Sequence, residues 1–182
     1  QLAYFHADDW GETSTDTVDD NGHWGSSTTY RKVQTVVGNV DWPLTEHQTL
    51  SLSVQAGRLQ ALVPMMEQAV DGRHHALALH YHGKFDAFYV KAEFIDTQRE
   101  LPDTYLASEP ALPREIANQR AGFELGYERG PWFWYLDAHA ALPDTAGSTT
   151  DTVYSYSPGV SYDYGPGWIY VEYLGQTGFV DR

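Results

Sequence analysis

Hydrophobic and polar residues alternate with a period of two along most of the chain. In residues 49–59 (TLSLSVQAGRL), Leu50, Leu52 and Val54 fall on one face, and Ser51 and Ser53 fall on the other. Such alternation predicts a β-strand with one apolar and one polar face. The same pattern predicts nine strands, at residues 1–10, 29–42, 49–59, 73–82, 87–95, 119–128, 132–141, 152–164 and 168–175.

Helical periodicity is almost absent. The only segment expected to hold helical turns is 60–70, where Pro64 suits the start of a helix rather than its interior. No apolar run approaches the roughly 18 residues that a membrane-spanning helix needs. The chain is therefore expected to be all-β, as a single domain over residues 1–182.

The links between predicted strands alternate between short and long. Short turns fall at 43–48, 83–86, 129–131 and 165–167, and longer links fall at 11–28, 60–72, 96–118 and 142–151. An antiparallel up-and-down barrel that crosses a membrane has this regularity, with tight turns at one end and long loops at the other. The predicted strands also approach the roughly 9 to 11 residues of a tilted membrane strand.

Composition and charge narrow the class further. The chain has 13 Tyr and 6 Trp against 7 Phe, so rings with a polar handle are favoured, as at membrane or sugar-binding interfaces. Several of these rings flank short turns and would form an interfacial girdle. The formal charge of −14 argues against a nucleic-acid partner, and the lack of Cys excludes disulfides and thiolate sites.

Three Tyr-rich or Gly-containing hairpins resemble Gram-negative outer-membrane porins. They are HHALALHYHGKFDAFYVKAEFI (74–95), RAGFELGYERGPWFWYLDAHAAL (120–142) and YSYSPGVSYDYGPGWIYVEY (154–173). The resemblance is one of texture across nearly the whole chain and includes no invariant motif. It implies an outer-membrane transport barrel with a water-filled lumen, passing small hydrophilic solutes or ions. It also implies contact with outer-membrane lipid and lipopolysaccharide, and leaves a homo-oligomer open.

Two features depart from the porin pattern. The chain ends in GFVDR, with Phe179 three residues from the last position, whereas such barrels typically end in an aromatic residue. Nine strands is an odd number, whereas an antiparallel barrel closes with an even number. If residues 1–10 are not a strand, eight strands remain, but the first of them would then start at the long-loop end. Both features favour a contiguous segment of a larger barrel.

Charged and histidine side chains on the polar faces are the candidate pore lining. Mixed charge of this kind can select ions and sugars by field and hydrogen bonding. The residues predicted to line the pore are His80, His82, Lys91, Glu93, Arg120, Glu124, Asp137, His139 and Glu172.

Site chemistry other than a pore lining has weaker support. His80 and His82 share a strand face, and two such histidines can bind a metal. Asp137 and His139 on another strand could in principle face them, but the sequence fixes no third ligand. Neither a metal nor a cofactor is therefore expected. The acidic stretch 8–20 could take a hard cation but lacks EF-hand spacing. Glu93 and Glu124 could form a glycosidase pair only at a suitable separation.

Familiar enzyme signals are absent from the sequence. It has no G-x-S-x-G, H-E-x-x-H, P-loop or G-x-G-x-x-G motif. Some small outer-membrane barrels are lipid-modifying hydrolases that use Ser and His, but no local pattern joins those residues here. We therefore expect a non-enzymatic protein.

The rival hypothesis is a secreted β-sandwich that binds or cleaves carbohydrate through exposed Trp and Tyr. It requires the apolar faces to pack together in a dry core, whereas a pore requires them to face lipid. Pro158 within a predicted strand favours an edge or bulge and counts for the sandwich. The link 96–118, with three prolines, is expected to form a surface loop or to fold inward over a pore.

Overall fold

The computed structural model describes residues 1–7, 30–61, 69–108, 110–143 and 151–177. Its strands are β1 (Leu2–Ala7), β2 (Tyr30–Thr45), β3 (Gln48–Ala61), β4 (Gly72–Phe85), β5 (Phe88–Glu100), β6 (Glu115–Arg129), β7 (Trp132–Pro143), β8 (Val153–Asp163), β9 (Trp168–Glu172) and β10 (Gly175–Gln176), and its one helix is α1 (Asp103–Ser108).

All the described strands lie in one antiparallel sheet. Each of β1 to β8 pairs with the next strand in sequence, and both β9 and β10 pair with β8. The predicted up-and-down meander is confirmed, and so is its alternation of links, with tight turns at 46–47, 86–87, 130–131 and 164–167. The described strands do not form a two-sheet sandwich.

The ninth predicted strand is divided into β9 and β10. Gly159 pairs with Glu172 and Tyr156 pairs with Gly175, so the ladder is interrupted opposite Pro158. The Tyr173 amide donates to the Pro158 carbonyl, which places the backbone nitrogen of Pro158 on the same side. Because proline has no N–H to donate there, the break falls where the ladder would be weakest.

The described sheet is open. Strands alternate in direction, so β1 and the β9–β10 ribbon run the same way and cannot close the sheet by antiparallel pairing. The described strands of the predicted barrel therefore form an open wall with two free edges.

Most strands extend beyond their predicted limits. For example, β5 continues to Glu100 and β6 begins at Glu115, where the sequence pattern predicted ends at 95 and 119. Cross-strand pairing continues past the apolar rows into polar residues at the strand ends. Arg73, for example, pairs in register with Glu100. Predicted features at 8–20 and most of 60–70 lie outside the described residues.

The two faces of the sheet differ in what covers them. On the apolar face, Leu77, Phe94 and Leu125 are 43%, 41% and 40% exposed, with no second layer among the described residues packed over them. The buried hydrophobic cluster lies instead on the opposite face, at the end of the long links. It consists of Leu59, Ala61, Leu101 and Tyr105, with Leu106, Leu112 and Ile116 packed around it.

Candidate functional site: the polar face of the sheet

The strand register brings the predicted pore-lining residues onto one face. Lys91 pairs across the sheet with His82 on one side and Glu124 on the other. Glu124 in turn pairs with Asp137, so four of the predicted residues form one row. We call this surface of the sheet the polar face; it carries His80, His82, Lys91, Glu93, Arg120, Glu124, Asp137, His139 and Glu172.

Glu93 is the centre of a charged cluster on this face. Its carboxylate lies 3.6 Å from Arg120 Nε, 3.7 Å from His139 Nδ1 and 3.7 Å from His80 Nδ1. His139 Nε2 lies 2.9 Å from an oxygen of Asp137. Five of the predicted side chains therefore form one connected network across β4 to β7.

Gly122 makes the contact between Glu93 and His139 possible. It stands directly between these residues in the row, and a Cβ there would lie 2.6 Å from His139 Nδ1 and 2.8 Å from Glu93 Cγ. Any side chain at this position would occupy the space through which the two residues approach each other. The absence of a side chain at Gly122 is thus part of the site.

Two further polar groups flank this network. Lys91 Nζ lies 3.0 Å from Glu124 Oε2, one row nearer the short turns. Tyr135 donates a 2.7 Å hydrogen bond to Glu172 on β9, and its ring covers Gly159 of the intervening strand. The first contact connects the neighbouring strands β5 and β6, and the second connects β7 to β9 across β8.

The sequence pattern missed a further polar cluster at the short-turn end. Lys84 Nζ lies 2.6 Å from Tyr89 Oη, and Tyr89 donates a 3.0 Å hydrogen bond to Glu128. Lys84 was assigned to a turn, although strand β4 continues through it. The sequence did contain a signal, because Lys84 is two residues from His82 and four from His80. This spacing places all three side chains on the same face of the strand.

Between β6 and β10 the polar face holds a shallow cleft. Its volume is about 260 Å³, and its polar lining comes from Arg120, Asp137, His139, Ser155, Ser157 and Gln176. Within the described ranges, no group of three or more His, Asp or Glu side chains is arranged to hold a metal ion. The lining of the cleft consists mainly of hydrogen-bonding and ionic groups.

Part of the link between β5 and β6 folds over the polar face. Leu101 and Tyr105 are 1% and 8% exposed and pack on Leu59. Leu59 is two residues from Gly57 in β3, so its side chain lies on the polar face. The backbone amide of Asp103, the first residue of α1, donates to Asp71 at 3.2 Å. Helix α1 was not predicted, because six residues are too few to show a helical period.

An ion pair closes the base of this link. Arg114 contacts Asp103 and also lies 3.4 Å from Glu100. The hydrogen bond to Asp103 raises the pKa of the Arg114 guanidinium above its ordinary value. Because arginine is charged at all ordinary pH values, this pair persists wherever the two carboxylates are ionised.

No family model matches the chain, and no curated protein matches its sequence significantly. A solved porin structure is similar to it, with a TM-score of 0.57 and 16% sequence identity over 86% of this chain. The chain has a porin-like fold. It spans 56% of the length of that porin chain. No helix in the described ranges has the length and apolarity needed to cross a membrane.

Proposed function

We propose that the chain forms the wall of an outer-membrane channel through which small hydrophilic solutes or ions diffuse passively. The observation that carries the proposal is the exposed apolar face, whose large side chains are about 40% exposed in row after row. A soluble protein rarely exposes a continuous apolar surface of this extent. Lipid hydrocarbon is the covering that this surface suits.

The height of the apolar face fits a membrane. On β7 the outward residues are apolar from Trp132 to Leu142, which is ten residue steps. At about 3.3 Å per residue and a tilt of about 40°, these steps cover about 25 Å along the membrane normal. That height equals the apolar band of outer-membrane barrels, about 25 Å.

Aromatic rings at the short-turn end suit the membrane–water interface. Trp132 is 43% exposed and its ring centroid lies 4.6 Å from that of Tyr162. Tyr127 and Trp134 stack at 5.8 Å, and Trp168 is 65% exposed. Amphipathic rings collect at the level of the lipid headgroups, so these residues would form one girdle.

The polar face would line the aqueous path. Its named acids are Glu93, Glu124, Glu128, Asp137 and Glu172, and its named bases are Lys84, Lys91 and Arg120, which leaves two more acids than bases when His is neutral. A weak preference for cations follows from this difference. In this role the side chains guide solutes and perform no catalysis.

The link that carries α1 would narrow the path. Its buried residues hold it against the polar face at the long-link end, where it takes up space that solute would otherwise use. The channel would therefore be narrower there than the spacing of the strands alone implies.

A complete barrel would need further strands. The described sheet has free edges on β1 and on the β9–β10 ribbon, and we propose that the chain is a contiguous segment of a larger barrel. Its partners would be outer-membrane lipid and lipopolysaccharide, with association into a homo-oligomer as an open option. The described strands lie in one sheet, whereas a carbohydrate-active sandwich needs two packed layers.

Conductance across a planar lipid bilayer tests the proposal. The complete protein that contains this segment, purified in a mild detergent, should add discrete, voltage-independent conductance steps and should migrate differently on gels before and after heating. Swelling of vesicles in sugars of increasing size would measure the limiting diameter. A protein that stays monomeric and folded in buffer without detergent, and adds no conductance, would refute the assignment.

A further inference from the structure

Two arginines oppose each other directly on the outward surface of the sheet. Arg58 of β3 pairs in register with Arg73 of β4, and in the pairings of the described strands no other two Lys or Arg residues face each other in this way. Their neighbours Leu59, Gly72 and His74 are buried on the polar face, so strand alternation turns both arginines outward.

Both arginines are exposed, and neither makes a hydrogen bond or ion pair with another described residue. Glu100 pairs with Arg73 across the sheet, but its carboxylate is 3.4 Å from Arg114 instead. Like charges directly opposite each other destabilise a strand pair, so an anion between them would turn repulsion into attraction.

The position of the pair identifies the kind of anion. Along β4 the outward residues run Leu79, Leu77, His75, Arg73, and the apolar row therefore ends just before the cations. On β3 the equivalent change comes between Val54 and Arg58. The arginines thus lie at the edge of the apolar band, on the side of the long links, where the headgroups of lipids would be.

We propose that Arg58 and Arg73, with His75 beside them, bind the phosphate of a lipid headgroup at the long-link edge of the apolar band. The guanidinium fork matches phosphate oxygens through paired hydrogen bonds. The lipid's acyl chains would lie along the exposed Val54 and Leu77, which are 47% and 43% exposed. The whole chain carries a charge of −14, which repels anions. The two arginines supply the local positive charge that attracts an anion to this place. The proposal rests on the proposed membrane function.

Native mass spectrometry of the detergent-solubilised protein tests this site. The probes are phosphatidic acid and phosphatidylcholine with the same acyl chains. We expect phosphatidic acid to remain bound preferentially, and the double variant R58Q/R73Q to bind it about tenfold more weakly. A tenfold change corresponds to about 1.4 kcal/mol, which is within reach of one charge-assisted hydrogen bond.

Arg129 provides the matched control. It is also exposed and turned outward, but it lies on β6 beside Trp132 at the short-turn end. R129Q should leave the binding of phosphatidic acid unchanged if the site is local. An equal loss in R129Q and R58Q/R73Q would mean general attraction to cations and would overturn the proposal.

Two further arms separate the sources of failure. Inorganic phosphate, added as a competitor, should not displace the lipid; displacement at equal concentration would indicate a site for free phosphate and refute a lipid site. Insertion of the unaltered protein into phosphatidylcholine vesicles tests the membrane function itself. Insertion without any preference for phosphatidic acid refutes only the site, whereas failure to insert refutes both. If the double variant does not fold, R58Q and R73Q are measured separately, and each should weaken binding.

Discussion

Leu59 holds the link with α1 against the polar face, so its truncation should loosen that link. The side chain is fully buried and packs on Leu101 and Tyr105, which are almost fully buried themselves. Replacing a buried leucine by alanine costs about 2 to 5 kcal/mol, because contacts are lost and a cavity is left. At the low end, 2 kcal/mol changes the ratio of docked to undocked link by roughly 30-fold.

Single-channel recording would detect this change. If the docked link narrows the path, Leu59→Ala should raise either the mean conductance or the noise of the open state. Limited proteolysis between β5 and β6 should become faster in the same variant, because an undocked link is accessible to protease. The two measurements report the same equilibrium through independent properties of the protein.

Leu77→Ala is the matched control. It removes the same atoms from an outward side chain that is 43% exposed and makes no contact with the buried cluster. Its conductance and its proteolysis should remain those of the unaltered protein. If Leu59→Ala and Leu77→Ala give identical recordings, the link does not restrict the path, and the reasoning from burial to channel width is wrong.

Three further substitutions probe the polar face. Gly122→Ala should separate Glu93 from His139, because its Cβ would lie 2.6 Å from His139 Nδ1, and ion selectivity measured by reversal potential should shift; an unchanged potential would contradict the role of this contact. Glu93→Gln should reduce the preference for cations, whereas Glu46→Gln at an exposed turn should not, with the same measurement. Tyr135→Phe removes the hydrogen bond to Glu172 and should lower stability by about 0.5 to 1.5 kcal/mol, seen as unfolding at lower urea concentration; an unaltered midpoint would show that this bond contributes nothing.

The fold was predictable because successive side chains of each strand alternate between the two faces of the sheet. Once one residue of a strand is assigned to a face, every second residue follows, and a slip by one would turn all of them over. Leu77 and Leu79 therefore fixed the orientation of His80 and His82 without any knowledge of the neighbouring strands. The short turns then fixed which strands are neighbours.

The clusters within the polar face could not be predicted in the same way. Parity states that Glu93 and His139 share a face, but these residues are 46 positions apart in sequence and their strands are separated by β6. Their contact depends on the register of two strand pairs and on Gly122 between them. The docked link was beyond prediction for a related reason, because its contacts with Leu59 are set by tertiary packing rather than by a local period.

Glycines on the polar face make room for larger side chains. At Gly122 and Gly159 the space above the backbone is filled by side chains from neighbouring strands. Tyr135 lies across Gly159 so closely that a Cβ there would be 2.2 Å from the ring. Tyr135 reaches across Gly159 to donate a hydrogen bond to Glu172, and Glu93 reaches across Gly122 to His139. In the proposed channel, a wall built in this way would hold its charges at fixed positions while occupying little of the path, which suits passive diffusion with weak selectivity.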